Sequence, residues 1–208
     1  YIITWQGSSR DENTLLENID EIALAAERAK RAGFDYIAFK PVLERQADGA
    51  EVMDPSKAAN DLAEVVARIR RELDRAQQLA DERFSVYEST NLRVLEQGNW
   101  RDFTRQPRTC HMQSLRQVLT PTGLYNCPAH RGVEKAKIGE AAAYAGASNA
   151  RETAAGVGGI LDRFDASHEC REVTCLYNGV NWWLEKLVHD PTAEVEIEPS
   201  DERGDYFL

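Results

Sequence analysis

The feature that most constrains this 208-residue chain is the placement of its four cysteines, all of which lie in the second half. They are Cys110, Cys127, Cys170 and Cys175, separated by 16, 42 and 4 residues. A protein that keeps its thiols reduced uses an even set confined to one region for metal ligation rather than for disulfides. The spacing therefore predicts that the four cysteines meet at one metal centre.

The segment between the first two cysteines is expected to fold as a β-hairpin. Residues 115–119 and 124–126 flank a Thr-Pro-Thr-Gly turn at 120–123, where proline and glycine suit the turn positions. A hairpin would bring Cys110 and Cys127 together, and Cys170 with Cys175 forms a second close pair. Four converging thiolates suit either an iron–sulfur cluster or a structural zinc ion, and the sequence does not choose between them. The remaining alternative is four unliganded thiols that pack as small hydrophobic side chains.

The first half alternates strand-like and helix-like segments. Strands are predicted at residues 1–5, 34–39 and 84–87, which are rich in aromatic and β-branched side chains. Long segments with a helical period separate these strands. The order β-α-β-α-β is typical of parallel strands joined by helical crossovers, so an α/β fold is expected.

Helix boundaries follow from capping signals and from apolar periodicity. Ser9 and Glu12 have the spacing of a capping box, which predicts a first helix from about residue 10 to Gly33. The second helix is expected to open at Asp54 and to run to about residue 83. The glycine-rich run at 156–159 follows no strand, which argues against a dinucleotide loop and favours a frayed helix or a loop.

Two stretches around the cysteines carry a family resemblance. Residues 123–127 have the sequence GLYNC, and residues 164–175 hold the last two cysteines, followed by Asn181 and a short helical segment. Together with the hairpin after Cys110, this pattern resembles the C-terminal auxiliary-cluster extension of radical S-adenosylmethionine (SAM) enzymes. Its four-cysteine form is called a twitch domain, a shortened relative of the SPASM domain. The upstream repeats, with residues 33–41, are similar to the last part of the partial barrel of those enzymes.

The resemblance implies a fold class and a domain organisation. The chain is expected to be α/β, with the closing βα units of a partial (β/α)6 TIM-like barrel in residues 1–95. A small α+β auxiliary-cluster domain of the twitch or SPASM type is expected in residues 96–190. Residues 191–208 are expected to form an acidic tail.

The resemblance also implies the cofactors. Cys110, Cys127, Cys170 and Cys175 would hold an auxiliary [4Fe–4S] cluster that serves electron transfer or structure. Family members use SAM and a second [4Fe–4S] cluster, bound by Cys-x3-Cys-x2-Cys, to generate a 5′-deoxyadenosyl radical that abstracts hydrogen from the substrate. This sequence has no such triplet. It is therefore expected to be the C-terminal part of a longer oxidoreductase and to be inactive alone.

Other candidate residues and partners are less sharply defined. Lys40 is expected at the rim of the sheet, where it either contacts SAM or substrate or is simply solvated. His111 and His130 are expected beside the ligands or at the surface, because four cysteines already complete the ligand count. A small-molecule substrate is preferred over a peptide, and a flavodoxin or ferredoxin is the expected electron donor. Catalytic residues cannot be named. The competing interpretation is a non-catalytic, zinc-stabilised α/β interaction module.

Composition excludes two classes of partner. The net charge of −10 and the isoelectric point of about 5.0 place a negative field around the protein, which repels nucleic acid. No apolar run approaches the ~18 residues that span a bilayer, and no leader sequence opens the chain. A cytoplasmic protein without membrane contacts is expected.

Overall fold

The structure is a computed structural model that describes residues 1–7, 15–47, 49–53, 55, 61–190 and 192. The chain divides into two compact units. The first comprises the described parts of Tyr1–Leu43 and Met53–Trp100, and the second comprises Glu44–Val52 and the described residues from Arg101 onward. Both units combine helices with small sheets, which confirms the mixed α/β class.

The described residues form the following elements. The strands are β1 (Ile2–Ile3), β2 (Trp5–Gly7), β3 (Leu15–Glu17), β4 (Tyr36–Pro41), β5 (Glu44–Arg45), β6 (Glu51–Val52), β7 (Ser85–Glu88), β8 (Val118–Thr120), β9 (Gly123–Tyr125) and β10 (Lys137–Gly139). The α-helices are α1 (Ile22–Arg31), α2 (Leu62–Gln77), α3 (Thr90–Gln97), α4 (Met112–Leu115), α5 (Ala147–Arg163), α6 (Ala166–Glu169) and α7 (Asn178–His189). Within the described ranges, none of these helices is both long enough and apolar enough to cross a membrane.

The first unit is built on a parallel sheet with the strand order β1-β4-β7. Ile2 pairs with Lys40 across the first pair of strands, and Tyr36 pairs with Ser85 across the second. Helices α1 and α2 lie between these strands in sequence. The predicted β-α-β-α-β order with parallel strands is therefore confirmed.

One apolar core holds the first unit together. Helices α1 and α2 each present an apolar stripe at helical spacing to this core, and α3 contributes two leucines. Burial of each large aliphatic side chain stabilises the fold by about 1.5–3 kcal/mol. The core residues with no exposed surface include Ile3, Ile19, Ile22, Phe39, Val65, Ile69, Leu73 and Leu92.

The first helix starts later than its sequence predicts. Leu15–Glu17 is a strand that pairs antiparallel with Trp5–Gly7, and a 3₁₀ turn at Ile19–Glu21 leads into α1. The Asn18 side chain accepts a hydrogen bond from the amide of Thr4 at 2.8 Å and donates to the carbonyl of Ile2 at 2.9 Å. These bonds fix the extended chain ahead of the helix, so the predicted start near residue 10 is wrong. Ser9 and Glu12 lie outside the described residues.

The second helix is shorter than predicted at both ends. Asp61 has an extended backbone with ψ 130°, and its Oδ1 accepts hydrogen bonds from the amides of Ala63 and Glu64. This N-cap starts α2 at Leu62, so the predicted start at Asp54 is wrong. The helix ends at Gln77. Beyond it, Asp81 Oδ1 accepts the amides of Arg83 and Phe84 and forms the turn into β7.

The second unit contains an antiparallel sheet with the order β8-β9-β10. The predicted hairpin is confirmed, since Val118–Thr120 pairs with Gly123–Tyr125. Gly123 has φ +142°, and a Cβ there would lie 2.8 Å from the carbonyl oxygen of Gly139. Helix α5 packs on this sheet through Ile160, which shares an apolar cluster with Leu124 and Ile138.

The glycine-rich run at 156–159 lies within α5 and is fully helical, so the expectation of a frayed helix or a loop is wrong. Position 156 requires glycine, because a Cβ there would lie 2.5 Å from the backbone oxygen of Ile138. The absence of a side chain lets the helix approach β10 closely. Tertiary packing offsets the low helix propensity of glycine.

Two neighbouring glycines of α5 give a matched test of this packing. Gly156→Ala should destabilise the protein by about 1–3 kcal/mol, because the added methyl group overlaps the backbone of β10. Gly158→Ala should stabilise it by about 0.5–1 kcal/mol, because a Cβ there meets no atom within 4 Å. Urea denaturation of both variants measures the two changes. Equal effects would contradict the packing of α5 on β10.

Candidate metal centre

Each of the four cysteines lies at the end of a secondary-structure element. Cys110 comes just before the short helix α4, and Cys127 is the N-cap of a 3₁₀ turn at Pro128–His130 that follows β9. Cys170 is the C-cap of α6, and Cys175 comes shortly before α7. Loop positions next to α4, the 3₁₀ turn, α6 and α7 therefore present the four thiols, and backbone amides reach the sulfur at three of them.

In the second unit these four cysteines lie near enough to influence one another's ionisation. Besides burial, repulsion from the other three cysteines raises the pKa of Cys170. Repulsion from Cys127 likewise raises the pKa of Cys110. Cys110 and Cys170 both pack against the apolar cluster of Leu124 and Ile160. Cys170 also joins Cys175 against a second apolar cluster. All four are free thiols.

The thiols are neighbours but are not closed into a finished site. Among the residues that the structure describes, no three His, Cys, Asp or Glu side chains already form a group that could hold a metal ion. Four cysteine sulfurs are nevertheless the donor set that zinc and iron–sulfur clusters take.

Burial controls the ionisation of the site. It raises the pKa of Cys110 to about 11 and that of Cys175 to about 12, and repulsion from the neighbouring thiols adds to both shifts. The pKa values of Cys127 and Cys170 are also raised, chiefly by burial. At neutral pH all four groups are therefore protonated thiols. Four thiolates can exist together here only with a cation between them.

Hydrogen-bond donors nevertheless point at the sulfurs. Backbone amides of α4 reach Cys110, those at the start of the 3₁₀ turn reach Cys127, and the amide of Tyr177 reaches Cys175; each holds the thiol pKa down against burial. Such donors stabilise a thiolate over a thiol. The site is thus arranged for anionic sulfur, although the metal-free thiols are neutral.

Arg116 supplies positive charge beside the site. Its guanidinium lowers the pKa values of Cys127 and Cys175, and it stacks 4.6 Å from the centre of the Tyr177 ring. A metal centre with four thiolate ligands carries net negative charge, which this cation partly offsets.

The sequence left open whether His130 lies beside the cysteines or at the surface. Its side chain is completely buried, and its Nε2 lies 3.4 Å from Cys170 Sγ. Burial lowers the pKa of His130 to about 4, so the ring is neutral at physiological pH. The sequence signal was its position three residues after Cys127. His111, the other candidate, instead bonds Glu185 Oε2 through its Nε2 at 2.6 Å.

Asn181 ties helix α7 to the first cysteine. Its Oδ1 accepts the backbone amide of His111 at 2.7 Å, and its Nδ2 donates to Gln106 Oε1 at 3.2 Å. The side chain is almost completely buried. Because His111 follows Cys110 directly, this pair of bonds fixes the backbone that carries the first thiol.

A cleft of about 320 Å³ lies beside the cysteines within the second unit. The β5–β6 hairpin forms one wall, and residues 168–173 form another. Val52 and Val173 line the cleft and belong to the apolar cluster against which Cys170 and Cys175 pack. Ion pairing between Lys135 and Glu169 makes part of its rim polar. Nothing in the sequence indicated that the hairpin belongs to this unit.

Lys40 lies in the first unit. It occupies the carboxyl end of β4, and its side chain is exposed. This is the position that the rim interpretation requires, and its role remains a prediction.

No protein-family description, curated protein or solved structure matches this sequence.

Metal binding should release protons. Each thiol that becomes a ligand loses its proton, so Zn²⁺ binding to the metal-free chain at pH 7 should release about four protons. Because the raised pKa values keep the thiols protonated, apparent Zn²⁺ affinity should increase steeply as the pH rises from about 6 to about 8. Calorimetry in buffers of different ionisation enthalpy measures the release. Zn²⁺ binding without proton release would exclude these thiols as ligands.

Asn181→Ala should weaken both fold and site. It leaves the amide of His111 and the Oε1 of Gln106 without their partner, which costs about 1–3 kcal/mol in unfolding free energy. Metal occupancy should decrease with it, because the Cys110 backbone is no longer fixed. Asn178→Ala is the matched control, since it removes an exposed hydrogen bond to the carbonyl of Arg105. Equal losses in the two variants would argue against the anchoring role.

Proposed function

We propose that the second unit binds one [4Fe–4S] cluster through Cys110, Cys127, Cys170 and Cys175, and that the chain is the C-terminal part of a radical SAM enzyme. The observation that carries the proposal is a set of four free, partly buried thiols in one unit, three of which face backbone amides. The arrangement stabilises thiolates whose charge a metal centre would balance.

The donor set fits a cluster chemically. When bound, the cluster supplies one-electron chemistry, and four protein thiolates leave none of its irons open. Its role would therefore be electron transfer or structural support rather than direct binding of substrate. Arg116 offsets part of its negative charge, and the apolar clusters around Cys110 and Cys170 exclude water from the sulfurs.

The first unit supports the proposed barrel. Its three parallel strands follow one another in the sheet in the order of the chain, with α1 and α2 as crossovers, which is the local pattern of a (β/α) barrel. Lys40 would then face SAM or substrate from the carboxyl end of β4. All four cysteines belong to the second unit. The cluster that cleaves SAM would be held outside this sequence, so the chain alone would be inactive.

The cleft beside the cysteines favours a small polar substrate. Its volume of about 320 Å³ suits a small molecule, and its polar rim suits charged groups on that molecule. Val52 and Val173 would separate a bound molecule from the sulfurs by about one side chain. Electrons would reach the centre from a carrier such as a flavodoxin or ferredoxin.

Anaerobic metal analysis tests this proposal. The full chain, purified without oxygen, should be brown and hold about four irons and four sulfides. Cys127→Ala should lose most of the iron and the charge-transfer absorption. Ser114→Ala, an exposed change in α4, should retain both.

A colourless protein with one zinc per chain would overturn the iron–sulfur proposal. It would favour a zinc-stabilised α/β interaction module, because the same four sulfurs can complete a zinc tetrahedron with no open position.

A further inference from the structure

The His130 ring links two of the cysteine-bearing segments. Its backbone amide donates to the carbonyl of Cys127 at 3.1 Å, while its Nε2 lies 3.4 Å from Cys170 Sγ. The edge of Phe164 packs against the ring, with centroids 5.1 Å apart and planes at 83°. The imidazole is therefore held in one orientation between the turn after β9 and the end of α6.

The direction of the contact with sulfur follows from metal binding. A metal-bound cysteine sulfur has no proton and can only accept a hydrogen bond, so the proton must be on His130 Nε2. In a neutral ring this leaves Nδ1 without a proton. Nδ1 is buried and has no hydrogen-bond partner.

Because this nitrogen is unpaired, a contribution to folding stability does not by itself explain why an imidazole occupies position 130. A buried polar atom without a partner costs about 1–3 kcal/mol. A phenylalanine ring would fill the same space against Phe164 without that cost. What the imidazole supplies and an apolar ring cannot is the N–H at Cys170 Sγ.

We propose that His130 is a positioning residue that donates an Nε2–H···Sγ hydrogen bond to Cys170 and thereby raises the reduction potential of the bound cluster. This inference rests on the proposed iron–sulfur function. Reduction adds one electron to the cluster and moves no proton, with a low-potential one-electron carrier as reductant. The added charge lies partly on the sulfurs, so the hydrogen bond is stronger in the reduced state and favours it.

The test compares two substitutions in the full chain after anaerobic cluster assembly. His130→Phe keeps the ring shape and removes the donor, whereas His130→Gln keeps an N–H donor at a similar distance from the backbone. If the bond favours the reduced cluster about tenfold, His130→Phe lowers the midpoint potential by about 59 mV for one electron. His130→Gln should restore most of that shift.

His168→Gln is the matched control. His168 is two residues before Cys170 in the chain, but its side chain is exposed and its Nδ1 faces Arg171. This variant should keep the wild-type potential. A potential titration followed by the electron-spin signal of the reduced cluster measures all the variants.

A measurement on the wild-type chain does not depend on how the variants fold. With ¹⁵N-labelled histidine, the reduced cluster should show a weak nitrogen coupling and an exchangeable proton coupling from the N–H···S bond. If these couplings are absent, or if a fully loaded His130→Phe variant keeps its potential, the role of His130 is overturned while the iron–sulfur proposal stands. If the wild-type chain assembles no iron and sulfide, both fail.

Discussion

The strongest electrostatic constraint in the second unit is the set of four partly buried thiols, whose pKa values are raised by burial and, at three of them, by repulsion from the others. Their raised pKa values keep them neutral without a metal, because four buried thiolates would repel one another strongly. Backbone amides and Arg116 nevertheless favour the anionic form. Under the proposed function, a cation among the sulfurs would balance these opposing influences and would stabilise the fold as well as complete the site.

The surrounding fold holds the loops that carry the thiols. Close approaches at Gly123 and Gly156 join β9, β10 and α5 into a tight layer beneath Cys110 and Cys170. Helix α7 fixes the Cys110 backbone through Asn181. On another side, Ala50 and Val52 of the β6 region pack near Cys170 and Cys175. Elements that are far apart in the sequence thus hold each thiol, and His130 joins two of those elements at the sulfur itself.

The first unit follows different physics. Its stability comes from an apolar core beneath a parallel sheet, and the described part of its core contains no cysteine. Polar side chains such as Lys40 lie at the carboxyl end of its strands, where α/β sheets commonly bind ligands. The proposed radical SAM function assigns different tasks to the two units. The first would contribute to the site for SAM and substrate, and the second would bind the auxiliary cluster.

The sequence by itself determined the mixed α/β class, the order of the parallel strands and the cysteine hairpin, because hydrophobic period and turn residues act locally. It placed the starts of α1 and α2 wrongly and did not predict helix α5 across its glycines. Asn18 fixes the first start through bonds to residues 14 and 16 positions away, and Gly156 is explained only by Ile138. The burial of His130 against Phe164 and Cys170 also comes from distant segments. The start of α2 is set locally by the Asp61 N-cap. Tertiary structure decided the other features because each depends on a contact whose partner lies far along the chain.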